Sequence, residues 1–211
     1  MLRRPPGVPC ESALGTAVRL APFQQQRGMK LTSTAIADVM TLTPPRFDDG
    51  RGFFAESFRA EWFPGLEFCQ DNHSFSSEPV TIRGLHYQLP PHEQAKLLRV
   101  VHGSIRDVAV DLRAGSPTYL QHVAVELSAS NGVQLFVPAG FAHGFVTLDP
   151  NTVVLYKVTD YYHRDSERGI PWDDPTLAVQ WRIDRKPVLS ERDRSHPPFD
   201  PAAPPFAYVR R

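Results

Sequence analysis

Short runs of β-branched and aromatic residues recur along the chain between residue 30 and about residue 182. Clusters of Pro, Gly, Asn and Asp separate these runs, so each run predicts a short strand rather than a helix. The predicted strands are 39–42, 82–85, 96–101, 104–111, 122–127, 134–137, 145–148 and 153–160. Many short strands between frequent turns are typical of a sandwich or a barrel. The pattern therefore predicts an all-β jelly roll.

Helices are expected only at the periphery of this fold. The segment 58–63 is a weak helix candidate, and 190–193 is a second one in the polar, Pro-rich region after residue 182. Within the predicted strand 104–111, charged Arg106 and Asp107 interrupt the apolar residues, which suits a strand with one solvated face. The chain shows no internal repeat.

The first 28 residues differ from the remainder of the chain. Residues 1–28 are rich in Pro, Arg, Gln and Gly and have no sustained periodicity, so we expect a disordered extension. Residues 29–211 are predicted to form a single domain, with Met29 a candidate start of the folded part. The extension lacks the apolar core of a secretory signal, and no run of about 18 apolar residues predicts a membrane helix. We expect a cytoplasmic protein.

Charge and cysteine content exclude several classes of function. The chain has 23 basic and 23 acidic residues and a pI of about 7.1, which argues against nucleic-acid and membrane-surface binding. Cys10 and Cys69 are the only cysteines, so neither a disulfide framework nor a Cys-based zinc site is expected. Lysine occurs only at positions 30, 96, 157 and 186, which draws attention to each one.

The segment 82–88 carries the strongest chemical signal. It contains Arg83 and His86, and Lys96 follows ten positions after the histidine. A general base beside two fixed cations suits removal of a proton from carbon next to a carbonyl group, because the cations stabilise the oxyanion that forms. Nearby cations also favour the neutral imidazole, which can accept a proton. A hydrogen-bonded structural histidine is the alternative interpretation.

Other polar residues admit two interpretations each. His143 follows a Gly-containing turn that either approaches a ligand or simply joins two strands. A metal bound by His86 and His143 would need further ligands, but the residue two after His86 is Gln88, a poor ligand. Tyr156 could fill the barrel wall, and Tyr162 could stack on a planar ring or cover an edge.

Together these segments resemble the dTDP-4-dehydrorhamnose 3,5-epimerases, a family of cupin-type jelly rolls. The resemblance covers about residues 31–199 and depends on the order and spacing of several motifs. These motifs are 49–58, 70–74, 82–88, 107–118, 137–145, 155–162 and 169–175.

The resemblance implies a mechanism on a dTDP-4-keto-6-deoxyhexose. It assigns His86 as the base, oriented by Asp193, and Tyr156 as the acid on the opposite face of the sugar. Lys96 would stabilise the enolate oxygen. The residues that it implies for substrate binding are Arg51, Glu56, Gln70, Asp71, Asn72, Arg83, Lys96, His143, Tyr162, Glu167 and Arg192.

The family also implies no metal, no organic cofactor and a homodimer in which an N-terminal strand is exchanged. The expected product is dTDP-4-dehydro-L-rhamnose, after inversion at C3 and C5. An epimerase of only C3 or only C5 in another deoxysugar pathway is the nearest alternative. A non-catalytic sandwich that binds sugar nucleotides and a metal-dependent cupin oxygenase or isomerase are the alternatives from other classes.

Overall fold

Strands dominate the structure, as the sequence pattern predicted. The computed structural model describes residues 28–209, so almost all of the expected disordered extension lies outside the described residues. The strands are β1 Lys30–Ser33, β2 Met40–Thr43, β3 Phe47–Asp49, β4 Gly52–Phe54, β5 Gln70–Ser76, β6 Ile82–Gln88, β7 Lys96–His102, β8 Ser104–Asp111, β9 Arg113–Ala114, β10 His122–Ser128, β11 Gln134–Val137, β12 Phe141–Thr147, β13 Thr152–Val158, β14 Glu167–Gly169 and β15 Phe206–Ala207. A 3-10 helix, Ala60–Trp62, and one helical turn, α1 Glu191–Arg194, fall on the two predicted helix candidates.

Two antiparallel sheets form the body of the molecule. One sheet has six strands in the order β1-β2-β11-β7-β13-β5, and the other has five in the order β10-β8-β12-β6-β14. Two smaller pairs, β3–β4 and β9–β15, lie apart from these sheets. Apart from β1 and β2, neighbours in the large sheets are not consecutive strands of the chain, as expected of a jelly roll. The all-β prediction is confirmed.

The main core lies between the two sheets. Each strand directs alternate side chains inward, so the inner residues of β7 and β8 meet across the interior. The core residues are fully or almost fully buried, and burial of each Val, Leu, Ile or Phe side chain among them stabilises the fold by about 1.5–3 kcal/mol. They are Ile36, Val39, Leu98, Val100, Ile105, Ala109, Val123, Leu127, Leu135, Val137, Phe141, Phe145 and Val154.

Two further clusters cover the outer faces of the sheets. The C-terminal segment packs Ile170, Leu177 and Trp181 onto the outer residues of the five-stranded sheet, such as Leu85. This packing ties the polar, Pro-rich end of the chain to β6 and brings α1 beside it. On the other side, a cluster that includes Phe63 covers the six-stranded sheet. No helix among residues 28–209 is long and apolar enough to cross a membrane.

Candidate active site

At one end of the sandwich, beyond the apolar core, polar side chains line the interior. On the six-stranded sheet, Lys96 of β7 and Gln70 of β5 both pair with Val158 of β13, and Asn72 pairs with Tyr156. Because paired residues point to the same face, these side chains share the inner surface with the core residues. The six-stranded sheet therefore supplies one polar wall.

The five-stranded sheet supplies the opposite wall. His143 of β12 pairs with both His86 of β6 and Ala109 of β8, and Ala109 belongs to the inner core. In the next row, Phe145 pairs with Arg83 and Asp107. The two histidines therefore face the interior beside one another, on the wall opposite Tyr156 and Lys96.

An extra residue in β6 puts Arg83 and His86 on one face. Residues three apart in a regular strand point to opposite faces, but here three steps along β6 match two steps along β12. Gly84 is at this bulge with a φ of +124°, and a Cβ atom there would lie 2.6 Å from the Cα of Gly144. The two glycines allow the close backbone approach that the bulge needs.

His86 is held by a buried carboxylate. Its Nε2 lies 2.6 Å from Oδ1 of Asp193, and Ser190 caps α1 by accepting from the Asp193 backbone N–H at 3.0 Å. The Ser190 hydroxyl also donates to Asp193 Oδ2 at 2.8 Å. Burial acts to raise the pKa of Asp193, but the hydrogen bonds from His86 and Ser190 outweigh it and lower the pKa. Asp193 therefore stays ionised and orients the ring.

The second histidine is also paired, but more deeply buried. His143 Nε2 lies 2.9 Å from Oδ1 and 3.0 Å from Oδ2 of Asp107, which is itself fully buried. Burial lowers the pKa of His143, Asp107 opposes this shift, and the charges of Lys96 and His86 add to it. A neutral His143 can donate one hydrogen bond to Asp107 and present its other nitrogen to a ligand.

Lys96 is a cation of the cleft whose charge interacts with those of Asp107 and Glu167. Burial lowers its pKa from 10.5 to about 8, while the charges of Asp107 and Glu167 act to raise it. At neutral pH the ammonium is therefore mostly protonated but poorly solvated. A desolvated cation of this kind stabilises a nearby oxyanion more strongly than a solvated one would.

Tyr156 stays a phenol at neutral pH. Burial raises its pKa, the positive charge of Arg83 opposes that shift, and Glu167 adds to it. Arg83 is fixed in turn, because it donates from Nε to Ser76 Oγ at 3.2 Å and from Nη2 to the Phe75 carbonyl at 2.8 Å. The pKa of the Tyr156 phenol is therefore affected by charged groups that belong to the other sheet.

A series of side-chain contacts joins five of the residues that the resemblance implies for substrate binding. Gln70 donates to Asn72 Oδ1 at 2.8 Å, and Gln70 Oε1 accepts from the backbone N–H of Tyr162 at 3.1 Å. Arg192 forms an ion pair with Glu167 and contacts the Tyr162 side chain. These five predicted binding residues thus form one continuous rim beside the cleft.

Three predicted binding residues lie elsewhere in the described chain. Asp71 is on the outer face of β5, where it accepts a hydrogen bond from Lys157 at 2.8 Å. Arg51 is at the β3–β4 turn with its side chain 91% exposed and paired with Asp49, and Glu56 pairs with Arg59. The fold of one chain does not bring these three to the cleft.

Two site residues were missed in the sequence. The contact between Asp107 and His143 depends on the pairing of β8 with β12, which the sequence does not reveal. His196 lies three residues after Asp193, and its Nε2 is 3.6 Å from Asp193 Oδ1. Its ring packs edge-on against His86 with centroids 5.5 Å apart, in space that a Cβ at Gly169 would occupy. His196 lies beyond both the predicted helix candidate 190–193 and α1, so its three-residue spacing from Asp193 was the available signal.

Comparisons with known proteins show which family this chain is similar to. A family model described as dTDP-4-dehydrorhamnose 3,5-epimerase matches residues 33–201. The dTDP-4-dehydrorhamnose 3,5-epimerase of Sinorhizobium fredii is 47% identical over 186 residues, which cover 86% of this chain and 95% of that protein.

Two solved structures extend the likeness to the fold. The dTDP-4-dehydrorhamnose 3,5-epimerase of Bacillus anthracis with TDP and PPi bound superposes with a TM-score of 0.78 at 46% identity, covering 82% of this chain and all of that one. The dTDP-6-deoxy-D-glucose-3,5-epimerase of Legionella pneumophila in complex with dTDP-4-keto-L-rhamnose gives a TM-score of 0.81 at 40% identity, with coverages of 86% and 100%.

Proposed function

The chain belongs to the dTDP-4-dehydrorhamnose 3,5-epimerase family, and we propose that it converts dTDP-4-dehydro-6-deoxy-D-glucose to dTDP-4-dehydro-L-rhamnose. It is thus an isomerase, and it acts on the route to dTDP-L-rhamnose. One observation carries the mechanism: His86 and Tyr156 lie on opposite walls of one cleft. Inversion of a carbon centre needs a base on one face of the sugar and an acid on the other.

His86 removes the proton. The C4 ketone acidifies the hydrogens on C3 and C5, so a base of moderate strength is sufficient. With Nε2 donating to Asp193 at 2.6 Å, Nδ1 carries the free lone pair and accepts the proton from carbon. Asp193 then stabilises the imidazolium that forms.

Lys96 stabilises the enolate. Proton loss from C3 or C5 moves negative charge onto the C4 oxygen, and an ammonium fixed beside that oxygen lowers the barrier by about 3 kcal/mol. Arg83 and the neutral His143 flank the same space and hold the sugar through hydrogen bonds.

Tyr156 completes the inversion. It donates its phenolic proton to the face of the enolate opposite His86, and its raised pKa keeps that proton in place at neutral pH. The two centres are inverted by two such cycles, one at C3 and one at C5. After each cycle His86 gives its proton to solvent and the Tyr156 phenolate takes one from solvent, so no proton is gained or lost overall.

The nucleotide lies along the rim described above. Gln70, Asn72, Glu167 and Arg192 offer polar contacts to the pyrophosphate and sugar, and the half-exposed ring of Tyr162 stacks on thymine.

A homodimer supplies the three outlying residues. Arg51 and Glu56 belong to or follow the β3–β4 hairpin, whose Phe47, Phe53 and Phe54 are each more than half exposed. Together with Asp71, they would meet the nucleotide of a partner subunit. β1 is an edge strand of the six-stranded sheet, so exchange of an N-terminal strand would cover an open edge. The proposed location is the cytoplasm, in keeping with a chain of 211 residues that has only two cysteines.

The test is exchange of carbon-bound hydrogen. The protein is incubated with dTDP-4-keto-6-deoxyglucose in D2O, and an NADPH-dependent 4-ketoreductase traps the product for NMR. We expect deuterium at C3 and C5 with wild type and at neither position with His86→Asn. Exchange at neither position with wild type would disprove the proposal, and label at C3 alone or C5 alone would identify a single-centre epimerase.

A further inference from the structure

A second group of metal-ligand side chains lies outside the catalytic cleft. His92 follows β6, and Asp160 and His163 follow β13, yet the three side chains converge. The mechanism uses none of them. We propose that His92, Asp160 and His163 form a zinc-binding site at the rim of the cleft, distinct from the His86–Asp193 pair.

The donor atoms are already close together. His92 Nδ1 lies 3.0 Å from Asp160 Oδ2, His163 Nε2 lies 3.9 Å from Asp160 Oδ1, and one ligand atom from each residue lies within 4.8 Å of the others. Tetrahedral Zn²⁺ with bonds of about 2.1 Å holds neighbouring ligand atoms about 3.4 Å apart. The His92–Asp160 and His163–Asp160 distances lie on either side of this value, and the imidazole rings must also turn before their lone pairs meet at one ion.

The donor types fit zinc better than they fit magnesium or calcium. Two imidazole nitrogens and one carboxylate oxygen are ligands that zinc accepts, whereas magnesium and calcium prefer oxygen alone. Three protein ligands leave one position for water. The two imidazole rings stack at 3.4 Å between centroids, with planes 14° apart, so a shared ion would tilt them away from this arrangement.

Side-chain amides of Gln88, which is buried, and Gln94, which is partly exposed, hold the ligands in place. The Gln88 side chain donates to the His92 carbonyl at 2.6 Å and accepts from the His163 backbone N–H at 2.7 Å, so one side chain positions both histidines. Gln94 donates to the Asp160 carbonyl at 2.7 Å. Such outer hydrogen bonds orient metal ligands and strengthen binding.

An ion can reach this site from solvent. The His92 side chain is 31% exposed and the His163 side chain is 40% exposed, while the Asp160 side chain is mostly buried. Tyr162 lies between two of the ligands in the chain, so a bound ion would fix the backbone on both sides of this rim residue. Metal binding itself does not depend on the proposed function, because it requires no substrate and no turnover.

The test is calorimetric titration of the full chain with ZnCl2 after removal of metal by chelator and dialysis. We expect one tightly bound Zn²⁺ per chain and no comparable heat of binding with MgCl2. His92→Asn and His163→Asn should each weaken zinc binding by at least about tenfold. His73→Asn, at an exposed histidine on the outer face of β5, is the matched control and should bind like wild type.

Thermal melts separate loss of a ligand from loss of folding. Asparagine keeps a hydrogen-bonding side chain, so both variants should melt near wild type without zinc and lose the rise in Tm that zinc gives wild type. Zinc binding that survives both substitutions would overturn the proposal. So would binding that His196→Asn abolishes, because the ion would then lie at the other convergent group in residues 28–209, His86, Asp193 and His196.

Discussion

The Nε2 atom of His86 lies 2.6 Å from Oδ1 of Asp193, although 107 residues separate the two in the chain. One comes from the middle of a sheet and the other from a capped turn in the Pro-rich C-terminal region. The C-terminal segment therefore contributes to the site as well as covering the sheet.

Substitution of Asp193 by Asn should impair proton transfer while preserving the shape of the site. An amide cannot stabilise the imidazolium of His86 and can favour the wrong tautomer, so we expect kcat to fall by about 10³–10⁴-fold. The measurement is the rate of deuterium incorporation. Asp184→Asn, at an exposed carboxylate, is the control and should retain wild-type rates. A loss below about tenfold would argue against Asp193 as the orienting group.

Activity should fall as the pH rises through about 8. The pKa of Lys96 is lowered to about 8, so the enolate loses its cation above that pH. Lys96→Arg keeps a positive charge at all accessible pH values, because a guanidinium group stays protonated throughout that range. We expect this variant to be slower at pH 7 but to lack the alkaline limb at pH 8. Lys186→Arg is the control, and an unchanged limb in Lys96→Arg would assign it to another group.

Removal of the Tyr156 hydroxyl should separate exchange from inversion. In Tyr156→Phe, His86 can still remove a proton and return deuterium to the same face, but no acid serves the opposite face. We expect labelled substrate with retained configuration and at least about 100-fold slower epimerisation. NMR distinguishes the two products. Tyr119→Phe, whose hydroxyl lies near the Pro201 carbonyl, should behave like wild type.

Gly84 should tolerate no side chain. In Gly84→Ala the new Cβ would meet the Gly144 backbone at 2.6 Å and adopt an unfavourable φ, so we expect a loss of about 3 kcal/mol or more in the free energy of unfolding. Gly115→Ala is the matched control, because Gly115 has a φ of +86° but open space around it. It should lose only about 1–2 kcal/mol. Urea unfolding measures both, and equal losses would contradict the close-approach argument.

His196 should tune the base without being essential. Burial and the charge of His86 lower the pKa of His196, while Asp193 opposes this shift. Removing this ring in His196→Ala leaves His86 as the only imidazole at Oδ1 of Asp193 among residues 28–209, so the carboxylate interacts more strongly with a protonated His86. We therefore expect the acidic limb of the kcat/KM profile to move to higher pH, with the plateau within about tenfold of wild type. An unmoved limb would limit His196 to packing.

Strand periodicity was sufficient to predict the fold class, because inner and outer faces alternate in most strands. It missed β5, whose sequence from Gln70 to Ser76 is largely polar. Asn72 and its inner neighbours line the cleft rather than the apolar core, so the usual signal is absent where the site is built. Both helix candidates were correctly placed, because Ser190 is a good N-cap and 60–62 lies in an aromatic turn.

Within the candidate site, the sequence determined which reactive side chains are present, and the tertiary structure determined which of them are in contact. Arg83, His86 and Lys96 are neighbours in sequence, so their combination could be recognised without coordinates. Their common orientation depends on the extra residue at Gly84, which regular alternation would not predict. Pairings such as His143 with Asp107 are made by strand register between distant segments, because register is set by the packing of whole sheets. For the same reason, only the tertiary structure placed Asp71 on the outer face and brought His196 and the three zinc-site residues together.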